Sequence, residues 1–219
     1  MNEKIERRWF PAEIRLIENN DEQPKFDGYS AVFNQLSPNL EGFREKIDPG
    51  TFAQSILEDD IRSLFNHDQN YVLGRNTNGT LTLTEDEHGL RAVNLLEDTY
   101  IDHYLIKKIK RGDITGMSFG FVVPEGGDKW DMSDPENPIR TLTRVILWDV
   151  SPVTYPYYPT TSVGIKSEKD VYAEFRNKCM QEQKLVEDKK NKEGKDVLEQ
   201  ERKTQIRNIN LEVIKKEVN

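Results

Sequence analysis

The chain has 219 residues, 35% of them hydrophobic and 32% charged, with a formal net charge of -8. Residues 1–165 carry 17 Lys and Arg against 27 Asp and Glu, whereas residues 166–219 carry 14 against 12. An acidic body argues against non-specific nucleic-acid binding, which needs basic surface, and it offers no polybasic patch to a membrane. The single cysteine, Cys179, excludes an intramolecular disulfide and suits a reducing compartment. The opening MNEKIERRWF lacks the apolar stretch of a signal peptide, and no apolar run approaches the ~18–20 residues of a membrane span. The expectation is therefore a soluble intracellular protein.

Residues 8–18, RWFPAEIRLIE, alternate apolar and polar positions and predict a first strand. Residues 26–34 predict a second, with Gly28 at a bulge. FREKID, 43–48, alternates again, and Asp48-Pro49-Gly50 opens a short helix over TFAQSILE. IRSLFNH, 61–67, reads as a strand. YVLGRN, TLTLTED and HGLRAVNLL follow at antiparallel spacing, with turns at 76–79 and 87–89. TYIDHYLIKKIKR, 99–111, has helical spacing and ends in a basic turn followed by Gly112.

ITGMSFGFVV then reads as a strand, and 124–139, rich in Pro, Gly, Asp and Asn, as a loop. RTLTRVILWDVSPVT, 140–154, predicts one bent strand or two broken near Ser151-Pro152, with PYYPTT as a proline-bounded exit. Beyond it the tail is helical in composition, and 187–203 have almost no apolar face. Roughly eight or more strands with two or three helices do not follow the strict β-α alternation of a doubly wound sheet.

Gly116-Met117-Ser118-Phe119-Gly120 fits G-x-S-x-G, the nucleophile elbow of α/β-hydrolases. An elbow needs a helix straight after the serine, and the chain order Ser, acid, His. Here Ser118 is followed by Phe-Gly-Phe-Val-Val-Pro, and His67, His88 and His103 all precede it. The elbow is rejected. A serine nucleophile without one still needs a base to take its proton and a partner to orient that base. By position His67 ranks first, at a strand end; His103, on a helix beside Asp102, ranks second; His88, in a turn, ranks last. His67, Asp68, Asp102 and His103 are metal-ligand types, but no H-x-x-x-H, H-E-x-x-H or Cys-pair spacing is present. Cys179 lies in the charged tail, remote from any cysteine-hydrolase arrangement.

GYSAVFN, EKIDPGTFAQSI, FNHD, GMSFGF and LWDVSPVTYPYYPTT, in that order over roughly residues 10–165, resemble the prohead maturation proteases of tailed phages. The fold of that family is similar to that of the herpesvirus assemblins. The resemblance implies a serine endopeptidase with His67 as base, Ser118 as nucleophile and Asp149 as the third, acidic member. Asp68 and Asp102 remain rivals for that third position. The second histidine that assemblins use is excluded, since no histidine follows Ser118.

The fold implied is mainly β with flanking helices, an assemblin-like closed or nearly closed antiparallel barrel over 1–165, then a charged helical tail over 166–219. Substrates implied are the scaffold or the capsid precursor, and the protease itself, inside the assembling prohead in the host cytoplasm. No cofactor or metal is expected, and neither nucleic acid nor membrane is an expected partner. Assemblins are activated by dimerisation, which leaves a homo-oligomer open. The competing reading is a non-enzymatic capsid-assembly or scaffold-like protein, which would tolerate loss of Ser118.

Arg140 and Arg144 read as a solvated strand face. Gly116 and Gly120 read either as room for a substrate backbone or as packing devices. If imidazole is the base, activity climbs with pH across the range where histidine ordinarily titrates, about 5 to 8. A pH–rate profile that is flat over that range, with chemistry rate-limiting, counts against His67.

Overall fold

Up to Val153, the described residues form twelve strands and two α-helices in chain order: β1 (Glu6–Phe10), β2 (Ile14–Ile17), β3 (Lys25–Val32), β4 (Arg44–Ile47), α1 (Ala53–Glu58), β5 (Arg62–Phe65), β6 (Asp68–Arg75), β7 (Leu81–Glu85), β8 (Gly89–Leu95), α2 (Tyr100–Arg111), β9 (Gly116–Val122), β10 (Asp128–Asp131), β11 (Ile139–Leu142) and β12 (Ile146–Val153). A 3-10 turn occupies Asn76–Asn78. This computed structural model describes residues 5–10, 14–18, 23–155, 170–185 and 189. The chain divides into two compact units, Met1–Val171 and Tyr172–Asn219. In the second, residues 172–185 and 189 are helical and Cys179 is a half-buried free thiol. The exit at 156–161 and the rest of the expected tail lie outside the described residues.

The expected closed barrel is not what the strands form. They lie in three open sheets, ordered β1-β9-β12-β5-β6, β10-β11-β4 and β2-β3-β8-β7. Closure demands a regular stagger carried right round the ladder. Here β12 pairs with β5, and β11 with β4, in parallel, while register shifts interrupt β3, β6 and β12. Strand β3 packs on β9 and β1 across the core without sharing a ladder with either.

Several local expectations change with it. The single strand expected over 8–18 is two strands in different sheets; Pro11, which has no N–H to give a ladder, lies between them. The register shift in β3 falls between Tyr29 and Ala31 rather than at Gly28. The loop expected over 124–139 contains β10. Strands β11 and β12 break at 143–145 rather than at Ser151-Pro152. Helix α2 starts and stops as its caps dictate: Asp102 N–H donates to the Thr99 hydroxyl at 3.3 Å, and Gly112 takes the left-handed conformation at φ 78°.

Strand β9 is buried along its whole length, because both of its faces are covered. Met117, Phe119 and Phe121 are fully buried in the core, where Phe119 stacks on Phe121 at 4.9 Å and meets Phe52 edge-on at 5.3 Å. Gly116, Ser118 and Gly120 point to the opposite face. The G-x-S-x-G spacing is thus the small-residue face of a central strand.

Charge is also buried. Arg8 on β1 donates to Glu45 on β4 at 2.7 Å and to Glu6 at 2.8 Å. Arg140 on β11 donates to Glu6 at 2.7 Å, Glu45 at 3.0 Å and Asp128 at 2.7 Å. Glu6, Arg8, Glu45 and Arg140 are 2–6% exposed, so Arg140 is not on a solvated face. Burial alone would lower both guanidinium pKa values; Glu45 and Glu6 more than reverse this, and both end raised. Removing one member strands the others in low dielectric. Glu45→Ala is expected to cost about 3–5 kcal/mol of unfolding free energy. A urea titration checks this against Lys129→Ala, an exposed control expected to stay within about 0.5 kcal/mol of the parent.

Candidate active site

The site grows from the register of three strands. Opposite Ser118 on β9 lie Trp9 on β1 and Ser151 on β12; opposite Gly120 lie Arg7 and Asp149. Residues paired across strands share a face, so Ser118, Asp149 and Ser151 all emerge on the side away from the core. The histidine arrives from β5. Phe65 pairs with Asp68, so β5 and β6 are joined by the two-residue turn Asn66-His67. Both turn residues have positive φ, 55° and 57°. That is the geometry of the tight hairpin that matches strand twist, and Asn and His tolerate it better than most residues. The turn is tied down: Asn66 N–H donates to Pro152 O at 3.1 Å, its side-chain amide reaches Thr154 Oγ1 at 3.1 Å, and its Oδ1 accepts Thr154 N–H at 2.8 Å.

The outcome is a continuous hydrogen-bonded chain. Asp149 Oδ1 lies 2.5 Å from His67 Nδ1, and His67 Nε2 lies 2.7 Å from Ser118 Oγ. A carboxylate on Nδ1 fixes the proton there and leaves Nε2 as acceptor. All three side chains are largely withdrawn from water, with Ser118 5% exposed and the His67 and Asp149 side chains 8% and 9%. Low dielectric strengthens each of these bonds. Ser118 Oγ also lies 2.9 Å from the Arg8 carbonyl. Its one proton has two acceptors, so it can turn to Arg8 whenever Nε2 itself carries a proton.

The two glycines have packing reasons. A Cβ on Gly120 would lie 2.5 Å from Asp149 Oδ2, and one on Gly116 would lie 2.4 Å from Trp9 Nε1. The small-residue face therefore holds the carboxylate and an indole, rather than a substrate backbone at those two points.

The rivals lie elsewhere. Asp68 Oδ1 accepts from the main chain and side chain of Asn70 at 2.9 and 2.8 Å. Asp102 is buried against the Thr99 hydroxyl at the start of α2. His103 pairs with Asp98 at 2.6 Å on the surface, and His88 is exposed edge-on to Tyr29. Arg144 is exposed and donates to Glu125 O at 3.0 Å. Among the described residues no group of His, Cys, Asp and Glu is arranged to hold a metal ion, and no helix is long and apolar enough to cross a membrane.

Sequence reasoning missed four neighbours. Ser151 lies between Asp149 and the His67 main chain. Asn66 shapes the turn; the signal available was Asn-His where a strand pattern stops. Arg7 and Trp9, on β1, bring N–H groups to the site face that are buried without a hydrogen-bond partner among the described residues, Arg7 Nε and Trp9 Nε1. Burial lowers the Arg7 pKa, partly offset by the charge of Asp149.

An imidazole held by a carboxylate and aimed at a serine hydroxyl is the constellation of serine hydrolases. The model of the family described as caudovirus prohead serine protease matches residues 10–175. The chain belongs to that family and is a serine protease of phage capsid maturation. Among solved structures it is similar to the bacteriophage T4 capsid assembly protease gp21, at 9% identity and a TM-score of 0.47, over 70% of this chain and 98% of that one. No curated protein matches. Membership decides between the enzyme and the non-enzymatic scaffold in favour of the enzyme.

Gly120→Ala tests the packing around the carboxylate. The new methyl is expected to displace Asp149 at a cost of about 1–3 kcal/mol in stability. It is also expected to slow fluorophosphonate labelling of Ser118 by about 100-fold, measured by intact mass against time.

Proposed function

We propose that Ser118, His67 and Asp149 are the catalytic residues, and that they cleave scaffold or scaffold-like segments of the capsid precursor, and this chain itself, within the assembling prohead. The observation that carries this reading is the unbroken Asp149–His67–Ser118 chain of hydrogen bonds. Ser118 Oγ attacks the scissile carbonyl as His67 Nε2 takes its proton, giving a tetrahedral intermediate. His67 returns that proton to the leaving amine, and the acyl group remains on Ser118. Water, activated by the same imidazole, then releases the acid. Asp149 holds the ring with Nδ1–H turned to itself and stabilises the imidazolium formed at each step. All three groups belong to the chain, so the reaction as written uses no cofactor.

The test is incubation of the 219-residue chain and Ser118→Ala with the capsid precursor of the same phage, read by intact mass. Discrete fragments from the parent chain are expected, with a rate at least about 10⁴-fold lower in Ser118→Ala. Cleavage that survives the substitution removes Ser118 from the mechanism.

A further inference from the structure

We propose that Ser151 is a positioning residue of this site, acting through both Asp149 and His67; the inference rests on the roles proposed above for those two residues. Ser151 is fully buried on β12, two residues beyond Asp149 and so on the same face, and it is the cross-strand neighbour of Ser118. Its Oγ lies 2.8 Å from Asp149 Oδ1 and 3.3 Å from the main-chain nitrogen of His67.

The direction of both bonds is settled by valence. A main-chain N–H can only donate, so Ser151 Oγ accepts from His67 and has its own proton free for the carboxylate, which can only accept when ionised. The Asp149 oxygen that takes this proton is the one bonded to His67 Nδ1. A closed ring results: His67 N–H to Ser151 Oγ, Ser151 Oγ–H to Asp149 Oδ1, and Asp149 Oδ1 back to the imidazole of His67. One hydroxyl thereby couples the histidine's backbone to the rotamer of the group that orients its ring.

The ring answers two weaknesses of the site. His67 holds a left-handed φ of 57°, which costs a residue with a Cβ more than extended backbone does, even one that tolerates it as well as His. The Ser151 bond fixes its N–H there. Asp149 has two side-chain torsions and shares the site face with a cation, Arg7, since both lie opposite Gly120 on β9. Rotation toward Arg7 would release the imidazole. Ser151 holds Oδ1, while the missing Cβ of Gly120 leaves Oδ2 its space.

A merely space-filling serine would make Ser151→Ala cost stability alone. A positioning serine makes it cost the geometry of the His67–Asp149 bond. The experiment is proton NMR of the full chain in parent, Ser118→Ala, Ser151→Ala and Ser151→Thr forms, following the downfield Nδ1–H resonance of His67. Diisopropyl fluorophosphate labelling is read in parallel by intact mass, and urea midpoints report folding.

The resonance is expected in the parent and in Ser118→Ala, to move or broaden away in Ser151→Ala, and to return in Ser151→Thr, which keeps the hydroxyl. Labelling of Ser118 is expected to slow 10- to 100-fold in Ser151→Ala, about the loss seen when an outer hydrogen-bond partner of a functional histidine is removed. If the alanine form does not fold, Ser151→Cys keeps nearly the same volume and exchanges the hydroxyl for a weak S–H donor; the same displacement of the resonance is then expected. An unchanged resonance and labelling rate in a folded Ser151→Ala or Ser151→Cys chain overturns the inference. Labelling that persists in Ser118→Ala sinks the proposed nucleophile instead, and the resonance still decides the part played by Ser151.

Discussion

Two guanidinium groups and two carboxylates, nearly stripped of water, hold the first unit in register. Taking each such ion out of water costs several kcal/mol, which close pairing repays only when the geometry is good. Arg8, Glu45 and Arg140 come from β1, β4 and β11, and Glu6 from β1 again, so the cluster joins the edge of the five-stranded sheet to two strands of the three-stranded one. Its value lies in what it forbids. A one-residue slip of β1 would turn the Arg8 side chain to the other face of the sheet and leave Glu45 with one buried cation fewer. With β1 locked against β9, Arg7 and Trp9 must lie opposite Gly120 and Ser118. Electrostatics on the core side thus set which side chains are offered on the site side.

The site uses the same logic of parity. Along β9 large and small residues alternate, and along β12 Asp149 and Ser151 are two apart, so one face collects an acid and two hydroxyls while the other fills the core. The histidine does not come from that pattern: β5 runs beside Asp149 and Val150, and His67 lies in the turn that follows it. It comes instead from a turn whose positive φ values swing the ring back over the sheet. Precision is therefore concentrated at one strained corner, held by Asn66 from below and Ser151 from the side.

Much of this was legible in the residues, though unequally. With three histidines in the chain, all before Ser118, position alone favours His67 at a strand end; the roles proposed for it and for Asp149 rest on resemblance to a family. The elbow was excluded by the β-like residues after Ser118, but its physical replacement, a small-residue strand face, needed the neighbours Trp9 and Asp149 to be seen. In sequence Ser151 reads as part of a strand break, since Pro152 follows it. In fact Pro152 continues β12 and lends its carbonyl to Asn66, a service for which it needs no N–H. Strand β10 was hidden in a segment with loop composition. Arg140 looked solvated because a local pattern cannot reveal that two glutamates from β1 and β4 converge on it. The barrel failed for a related reason: alternation identifies strands, whereas closure depends on which edges meet, and that is decided by contacts far apart in the chain.

The distances along the chain have a consequence for timing. Ser118 bonds to the carbonyl of Arg8, 110 residues before it, and the imidazole of His67 to a carboxylate 82 residues after it. During synthesis, which proceeds from the N-terminus, Ser118 and His67 leave the ribosome before Asp149, to which the imidazole is bonded. Until β12 is threaded between β9 and β5, the hairpin has nothing to hold its strained corner and the serine faces no aligned base. A ribosome-bound chain that stops short of β12 therefore lacks the Asp149–His67–Ser118 arrangement. The nearly complete fold is itself a clock, and it starts only after the polypeptide has passed every other element of the site.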